Sequence, residues 1–220
     1  MHTLLTEIFE RLEQEHIQYC LLRGYEELET LDDTGDVDLL VQADQIGQFQ
    51  ALMARLQFVR LPVWGHAPHQ FFVAYDETTD TWLKLDVVTT VVYGKPIPSL
   101  ETNLAEGCLA RRQPRGPTYV PAPEDELVTL LLHCLLDKGA FAPHRQARVR
   151  ALRAEVRDEA TLNRLLRQAW SPDMTWARLA GLIDGECWEA LLGEAGGIAR
   201  RLRRGQGMAV LRRRLAETSP

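Results

Sequence analysis

The stretch "GDVDLLV" (Gly35–Val41), preceded by "YCLLRGYEEL" (Tyr19–Leu28), decides how this chain is read. It sets two carboxylates, Asp36 and Asp38, at the head of an otherwise apolar run. Side chains alternate across a strand, so residues two apart share a side. Two carboxylates held close together repel. The remedies are a proton, a basic partner, or a divalent cation that both can ligate. On composition magnesium suits best, with manganese as a substitute. It takes hard oxygen ligands, commonly one or two carboxylates with waters and substrate phosphates.

Working outward, Leu4, Leu5, Ile8 and Leu12 fall on one helical face and predict an opening amphipathic helix that ends near His16. "YCLLRG" and "VDLLV" are short apolar runs that should pair as strands across the polar loop "YEELETLDDTG", where Asp32 and Asp33 read as loop residues. Ile46, Phe49, Leu52, Met53 and Leu56 mark a helix from about Asp44 to Gln57. "FVRLPV" reads as a short strand. "QFFVAYD" and "WLKLDVVTTVVY" flank "ETTD" and suit a hairpin, with Trp82 and the β-branched residues favouring extended structure.

From "RRQPRGPTYVPAPEDE" onward the character changes. Pro114, Pro117, Pro121 and Pro123 leave little scope for regular helix, so the segment reads as a crossing between two substructures. Beyond it, Leu127, Leu130, Leu131, Leu135 and Leu136 mark one helix, and strong helix formers run through "RQARVRALRAEVRDEATLNRLLRQAW". The expected fold class is α+β: a mixed sheet with flanking helices in residues 1–115, then a helical domain in residues 116–220.

The 220 residues carry a net charge of -6, but unevenly. Residues 1–100 hold 16 Asp and Glu against 6 Lys and Arg, and residues 101–220 hold 15 against 19. An acidic front half would repel a polynucleotide. No run of 18 apolar residues occurs, and the first residues are too charged for the apolar segment of a signal peptide, so a cytoplasmic protein without membrane insertion is expected. Cys20, Cys108, Cys134 and Cys187 form no CxxC pair and read as reduced core residues.

A third carboxylate, Asp86 in "WLKLDVVT", interrupts an apolar strand and needs a partner if it is buried. If this strand lies beside the Asp36 strand, three carboxylates converge and can hold two metals, with Asp86 nearest an attacking hydroxyl. Lys84, two before Asp86, shares its face and serves either substrate phosphate or an acid.

A helix, a strand ending in "LLRG", a loop, a strand opening with "DVD" and a later strand carrying a single Asp resemble the nucleotidyltransferase superfamily related to DNA polymerase beta. More closely, the arrangement looks like the uncharacterised bacterial nucleotidyltransferase-like proteins. The motifs span roughly residues 19–90. The resemblance implies metal-dependent transfer of a nucleoside monophosphate from an NTP such as ATP to an acceptor hydroxyl, with release of pyrophosphate. It implies the metal pair on Asp36 and Asp38, the third acid on Asp86 and the phosphate-loop glycine on Gly24. The superfamily loop commonly reads Gly followed by Gly or Ser. Here Arg23, Gly24 and Tyr25 stand in its place, and the Arg23 guanidinium can engage phosphate oxygens in a bidentate way.

The acceptor is expected to be a small molecule or a protein. His66 and His69, in "WGHAPHQFF", read as acceptor contacts and are a weak zinc signal. Lys138 reads as a helix-end charge, and Trp176 and Trp188 as core aromatics. Arg200, Arg201, Arg203, Arg204, Arg212, Arg213 and Arg214 form a basic end that reads as a solvated helix face, with nucleic-acid contact as its alternative. Two other classes remain open: a non-catalytic relative that binds a nucleotide or other ligand, and a toxin or antitoxin-type regulator acting on tRNA.

Overall fold

The computed structural model describes residues 3–28, 35–62, 68–95 and 98–204. Asp32, Asp33, His66 and the arginines at 212–214 lie outside these residues, as does the rest of the segment 29–34.

The amphipathic stretch forms α1 (Thr3–Gln14), with Leu5, Ile8, Phe9 and Leu12 fully buried at spacings of three and four. Strand β1 (Tyr19–Leu21) pairs antiparallel with β2 (Val37–Val41), as the two apolar runs predict. A 3₁₀ turn at Ala43–Gln45 leads into α2 (Ile46–Arg55), shorter at both ends than the periodicity suggests. Strand β3 (Val59–Leu61) and the hairpin β4 (Gln70–Asp76) and β5 (Thr81–Val88) follow, the hairpin closing around Glu77–Asp80. The five strands form one mixed sheet in the order β1-β2-β5-β4-β3, in which β2 and β5 are parallel and the other pairs antiparallel.

One face of this sheet is the core. Val37, Leu39 and Val41 alternate inward on β2, Leu83, Leu85 and Val87 on β5, and Phe72 and Ala74 on β4. They pack with α1 and with Phe49, Leu52 and Met53 of α2. Two aromatic pairs fix the fit. Phe9 stacks on Tyr19 with centroids 5.7 Å apart, and Phe49 meets the edge of Phe72 at 5.5 Å. The residues between these inward positions point to the opposite face, which carries Asp36, Asp38, Lys84 and Asp86.

Strand β5 stops at Val88, short of the long run read from the sequence. The remainder forms a separate ribbon, β6 (Val92–Tyr93) with β7 (Leu100–Glu101). Helix α3 (Leu104–Ala110) follows, and a second ribbon, β8 (Gln113–Arg115) with β9 (Thr118–Val120), occupies the proline-rich segment. Two compact units result: residues 1–90 with 105–121, and residues 91–104 with 122–220. The expected cut between 115 and 116 falls inside the β8–β9 hairpin. Residues 91–104 join the second unit because Tyr93 donates its hydroxyl to the Thr129 carbonyl (3.1 Å) and the Gly94 N–H donates to Asp137 (2.7 Å).

The second unit opens with α4 (Pro123–Leu132), whose first residue is the proline that the first turn tolerates. The helix runs on through a π turn at His133–Lys138 and stops at Gly139, which takes φ 65°, so Lys138 does sit at the helix end. Helices α5 (Pro143–Glu155), α6 (Glu159–Ala169), α7 (Trp176–Asp184), α8 (Trp188–Gly193) and α9 (Ala195–Arg204) complete it. The long helix-forming stretch is cut between α5 and α6 because Glu124 accepts the backbone N–H groups of Arg157 and Asp158 (2.8 and 2.9 Å), and Asp158 caps the N–H of Thr161 (2.9 Å). Trp176 is buried beneath the Arg153 guanidinium, and Trp188 is half-buried against Phe141. Cys20, Cys108 and Cys134 are buried and in no disulfide, whereas Cys187 is exposed just before α8, which corrects its placement in the core. Among the described residues no helix is long and apolar enough to cross a membrane.

Glu126 is 8 % exposed, and Arg148 holds both its oxygens at 2.7 and 2.6 Å. Removing one partner of such a pair strands the other charge, at a cost of about 3–5 kcal/mol, whereas removing both charges is far cheaper. Arg148→Met should therefore lower the urea midpoint sharply. Adding Glu126→Gln to it should recover most of the loss, as read by tryptophan fluorescence.

Candidate active site

The site follows from register. Strands β2 and β5 run parallel with Asp38 opposite Asp86 and Val37 opposite Leu85. Partnered residues share a sheet face, so the two carboxylates stand side by side on strands about 4.8 Å apart. Asp36, two residues before Asp38 and just ahead of the strand, faces the same way and is exposed. The sequence-predicted acids are thus brought together.

Each carboxylate has a cationic partner. Arg23, at the end of β1, clasps Asp38 with both arms of its fork, Nε to Oδ2 at 3.1 Å and Nη2 to Oδ1 at 2.9 Å. Lys84 Nζ lies 3.2 Å from Asp36 and 5.5 Å from the centre of the Phe71 ring. His69 Nδ1 lies 2.8 and 3.0 Å from the two oxygens of Asp86, and its ring stacks along Phe71. All three pairs are largely shielded from water except at Asp36. With three acids against two permanent cations, the cluster is one charge from neutrality when His69 is neutral.

The His69 link is readable from the hairpin. Counting outward from the turn, Asp76 pairs with Thr81 and Phe71 with Asp86. His69 is then on the Asp86 face and diagonally adjacent. Its sequence-level assignment to acceptor binding missed this partner, because a histidine two residues before an aromatic carries no signal until the register is counted.

Gly24 takes φ 76°, ψ 19° and starts the 3₁₀ turn Tyr25–Glu27. That left-handed conformation costs other residues, so glycine is favoured there whatever the loop binds. Tyr25, read with Gly24 as part of a phosphate loop, has its ring under the Arg115 guanidinium at 4.5 Å. Its hydroxyl lies where a Cβ on Gly116 (φ 57°) would come within 2.9 Å. Tyr25 therefore braces the β8–β9 turn, with Arg115 also 3.2 Å from Glu26.

The donors are three carboxylates on one sheet face, the hard oxygen set that magnesium or manganese takes, so in chemistry they fit such an ion. Among the described residues no three acidic, histidine or cysteine groups are placed to hold one ion, and Arg23, Lys84 and His69 engage the carboxylate oxygens. No family model, no curated protein and no solved structure matches this chain.

Burial pulls the His69 pKa down, but the hydrogen bond and charge of Asp86, joined by the charge of Asp38, outweigh it and leave the pKa raised above 6.5. A folded-state pKa above the unfolded value gives stability that is full below pH 6.5 and is lost as the pH rises through the raised value. The stability advantage of the parent over His69→Gln should therefore be largest below pH 6.5 and shrink above it in thermal melts across pH. A constant difference would refute the His69–Asp86 ion pair.

Proposed function

We propose that the chain is a metal-dependent nucleotidyltransferase that moves a nucleoside monophosphate from an NTP to an acceptor hydroxyl. What supports the reading is the placement of Asp38 beside Asp86 on parallel strands, with Asp36 on the same face. Three acids on one sheet face have a use if a divalent cation and phosphates come to them, and otherwise carry a repulsion that Arg23, Lys84 and His69 offset.

Asp36, Asp38 and Asp86 would hold magnesium, which when bound supplies charge neutralisation for the triphosphate and its leaving group. Arg23 moves from Asp38 to phosphate oxygens, which its fork fits equally well. Gly24 lets the backbone approach the phosphates closely. Lys84 adds a second positive charge beside them. The acceptor oxygen attacks the α-phosphorus, the bond to the bridging oxygen breaks, pyrophosphate leaves, and the hydroxyl proton passes to Asp86, which His69 orients.

A second reading has its own observation. Because every carboxylate already has a cationic partner, the cluster can persist without metal, as a ligand-binding relative that does no transfer would require.

Ligand at a hundred times its dissociation constant adds about 2.7 kcal/mol of stability. A magnesium-dependent rise in melting temperature with one of ATP, CTP, GTP or UTP is expected, absent in Asp38→Asn with Asp86→Asn. A nucleotide response without pyrophosphate release would favour the binding relative, and no response to any nucleotide would sink the transferase reading and leave a relative that binds another ligand.

Arg23 competes with metal for Asp38 and is also the proposed phosphate contact, so Arg23→Gln should act in opposite directions. Binding of manganese alone, followed by electron paramagnetic resonance, should tighten by about tenfold, or about 1.4 kcal/mol, while nucleotide binding weakens. Weaker manganese binding would contradict the role given to Asp38.

A further inference from the structure

Among the described residues, the large apolar side chains that stand exposed are Val59 (61 %), Tyr75 (44 %) and Trp82 (54 %). They are not scattered. Tyr75 is the register partner of Trp82, and Val59 of Val73, which lies two residues from Tyr75. All three therefore share one sheet face. It is the face of the carboxylates, since Trp82, Lys84 and Asp86 alternate along β5. Four residues of strand separate Trp82 from Asp86, about 13 Å.

The two rings touch, with centroids 5.3 Å apart and planes inclined at 53°. The Tyr75 hydroxyl donates to Asp80 in the adjoining turn, which holds the ring in place before any ligand arrives. Glu77, Thr78 and Thr79 complete that turn, all exposed. A pair of fixed aromatic faces beside carboxylates and hydroxyls suits a ligand with apolar C–H faces and a rim of hydroxyl groups. The rings' negative faces attract polarised C–H groups, and the carboxylates accept from hydroxyls. Charge separates this ligand from a nucleotide or a polynucleotide, whose phosphates Glu77 and Asp80 would repel.

We propose that the acceptor is a neutral carbohydrate, held on the Tyr75–Trp82 platform so that it reaches along the sheet face toward Asp86. The word "acceptor" rests on the transferase reading above; the carbohydrate platform does not. The separation from Asp86 matches a short oligosaccharide whose end, and not its middle, meets the carboxylates. An exposed aromatic pair of this kind offers a ligand rigid apolar contact area.

The test uses the full chain and three variants, Trp82→Ala, Tyr75→Ala and Trp82→Phe. Each is screened against an array of neutral oligosaccharides, with hits measured by isothermal titration in the absence of nucleotide. The melting-temperature response to the four nucleotides with magnesium is recorded on the same samples. The expected result is an oligosaccharide that binds the parent, binds Trp82→Ala at least about tenfold more weakly, and is retained by Trp82→Phe, with the nucleotide response unchanged throughout. No binding of any neutral oligosaccharide by the parent overturns the proposal, as does equal binding by parent and Trp82→Ala. Loss of the nucleotide response in Trp82→Ala overturns it too, since the platform would then stack a base. Oligosaccharide binding through Trp82 in a protein that answers to no nucleotide would keep the carbohydrate site and remove the transferase reading, so the two failures are distinguishable.

Discussion

The pairing of Asp38 with Asp86 across β2 and β5 is the constraint on which the site depends. Both strands are buried on their inner face by leucine and valine, so a slip of one residue would drive the acids into the core and the aliphatic side chains out. The hydrophobic pattern therefore sets the position of the charges. Having been forced together, the acids need positive partners, and each neighbouring strand supplies one. Arg23 comes from the end of β1, Lys84 from β5 itself, and His69 from the start of β4. Arg23 can reach Asp38 because the β1–β2 ladder continues one step past β1, where the Leu22 N–H donates to the Asp38 carbonyl.

The helical unit handles buried charge in another way. Glu124, Asp125 and Glu126 sit in the first turn of α4, where the helix dipole favours acids, yet all three are buried. Glu124 is spent on two backbone N–H groups at the start of α6, and Glu126 on a bidentate arginine. His133 and Asp137 are joined at 2.9 Å within the π turn, and Asp137 also receives the Gly94 N–H. These acids serve as joints between helices and the β6–β7 ribbon. Burial of a carboxylate by itself thus says little about function in this chain; what distinguishes Asp36, Asp38 and Asp86 is that two parallel strands bring them onto one outward sheet face.

Much of this was legible in the sequence, for identifiable reasons. The period-3.6 pattern of α1 and α2, the alternation in "VDLLV" and the hairpin around "ETTD" are local signals, and the structure has those elements. The placement of Asp38, Asp86 and Lys84 on one face needed only alternation and one guess, that β2 adjoins β5. Other features depend on partners distant in sequence. The break between α5 and α6 is made by Glu124, more than thirty residues away. The proline-rich segment reads as a crossing with little scope for helix, and it forms a hairpin, with Pro114 tolerated because a two-stranded ribbon has only edges. Trp82 was read as a strand former, which is true of its backbone and silent about its exposure. Cys187 looked like a core thiol because propensity reports an average, and its neighbours in a helix-to-helix turn leave it outside.

On the transferase reading, the ion pairs make metal and nucleotide interdependent. A divalent cation that takes Asp38 must first free it from Arg23, and a guanidinium released in a half-buried place needs a new anion. A triphosphate supplies that anion, and it in turn would meet the uncompensated acids unless metal neutralised them. Each ligand removes the penalty that the other would face alone. Binding of the two is then positively coupled, and by linkage the coupling is the same whichever is added first. A lysine in place of Arg23 would weaken this arrangement, because a single ammonium cannot span both oxygens of Asp38 and then both oxygens of a phosphate. On that reading the guanidinium of Arg23, which holds Asp38 here, would take the place of a small phosphate-binding hydroxyl.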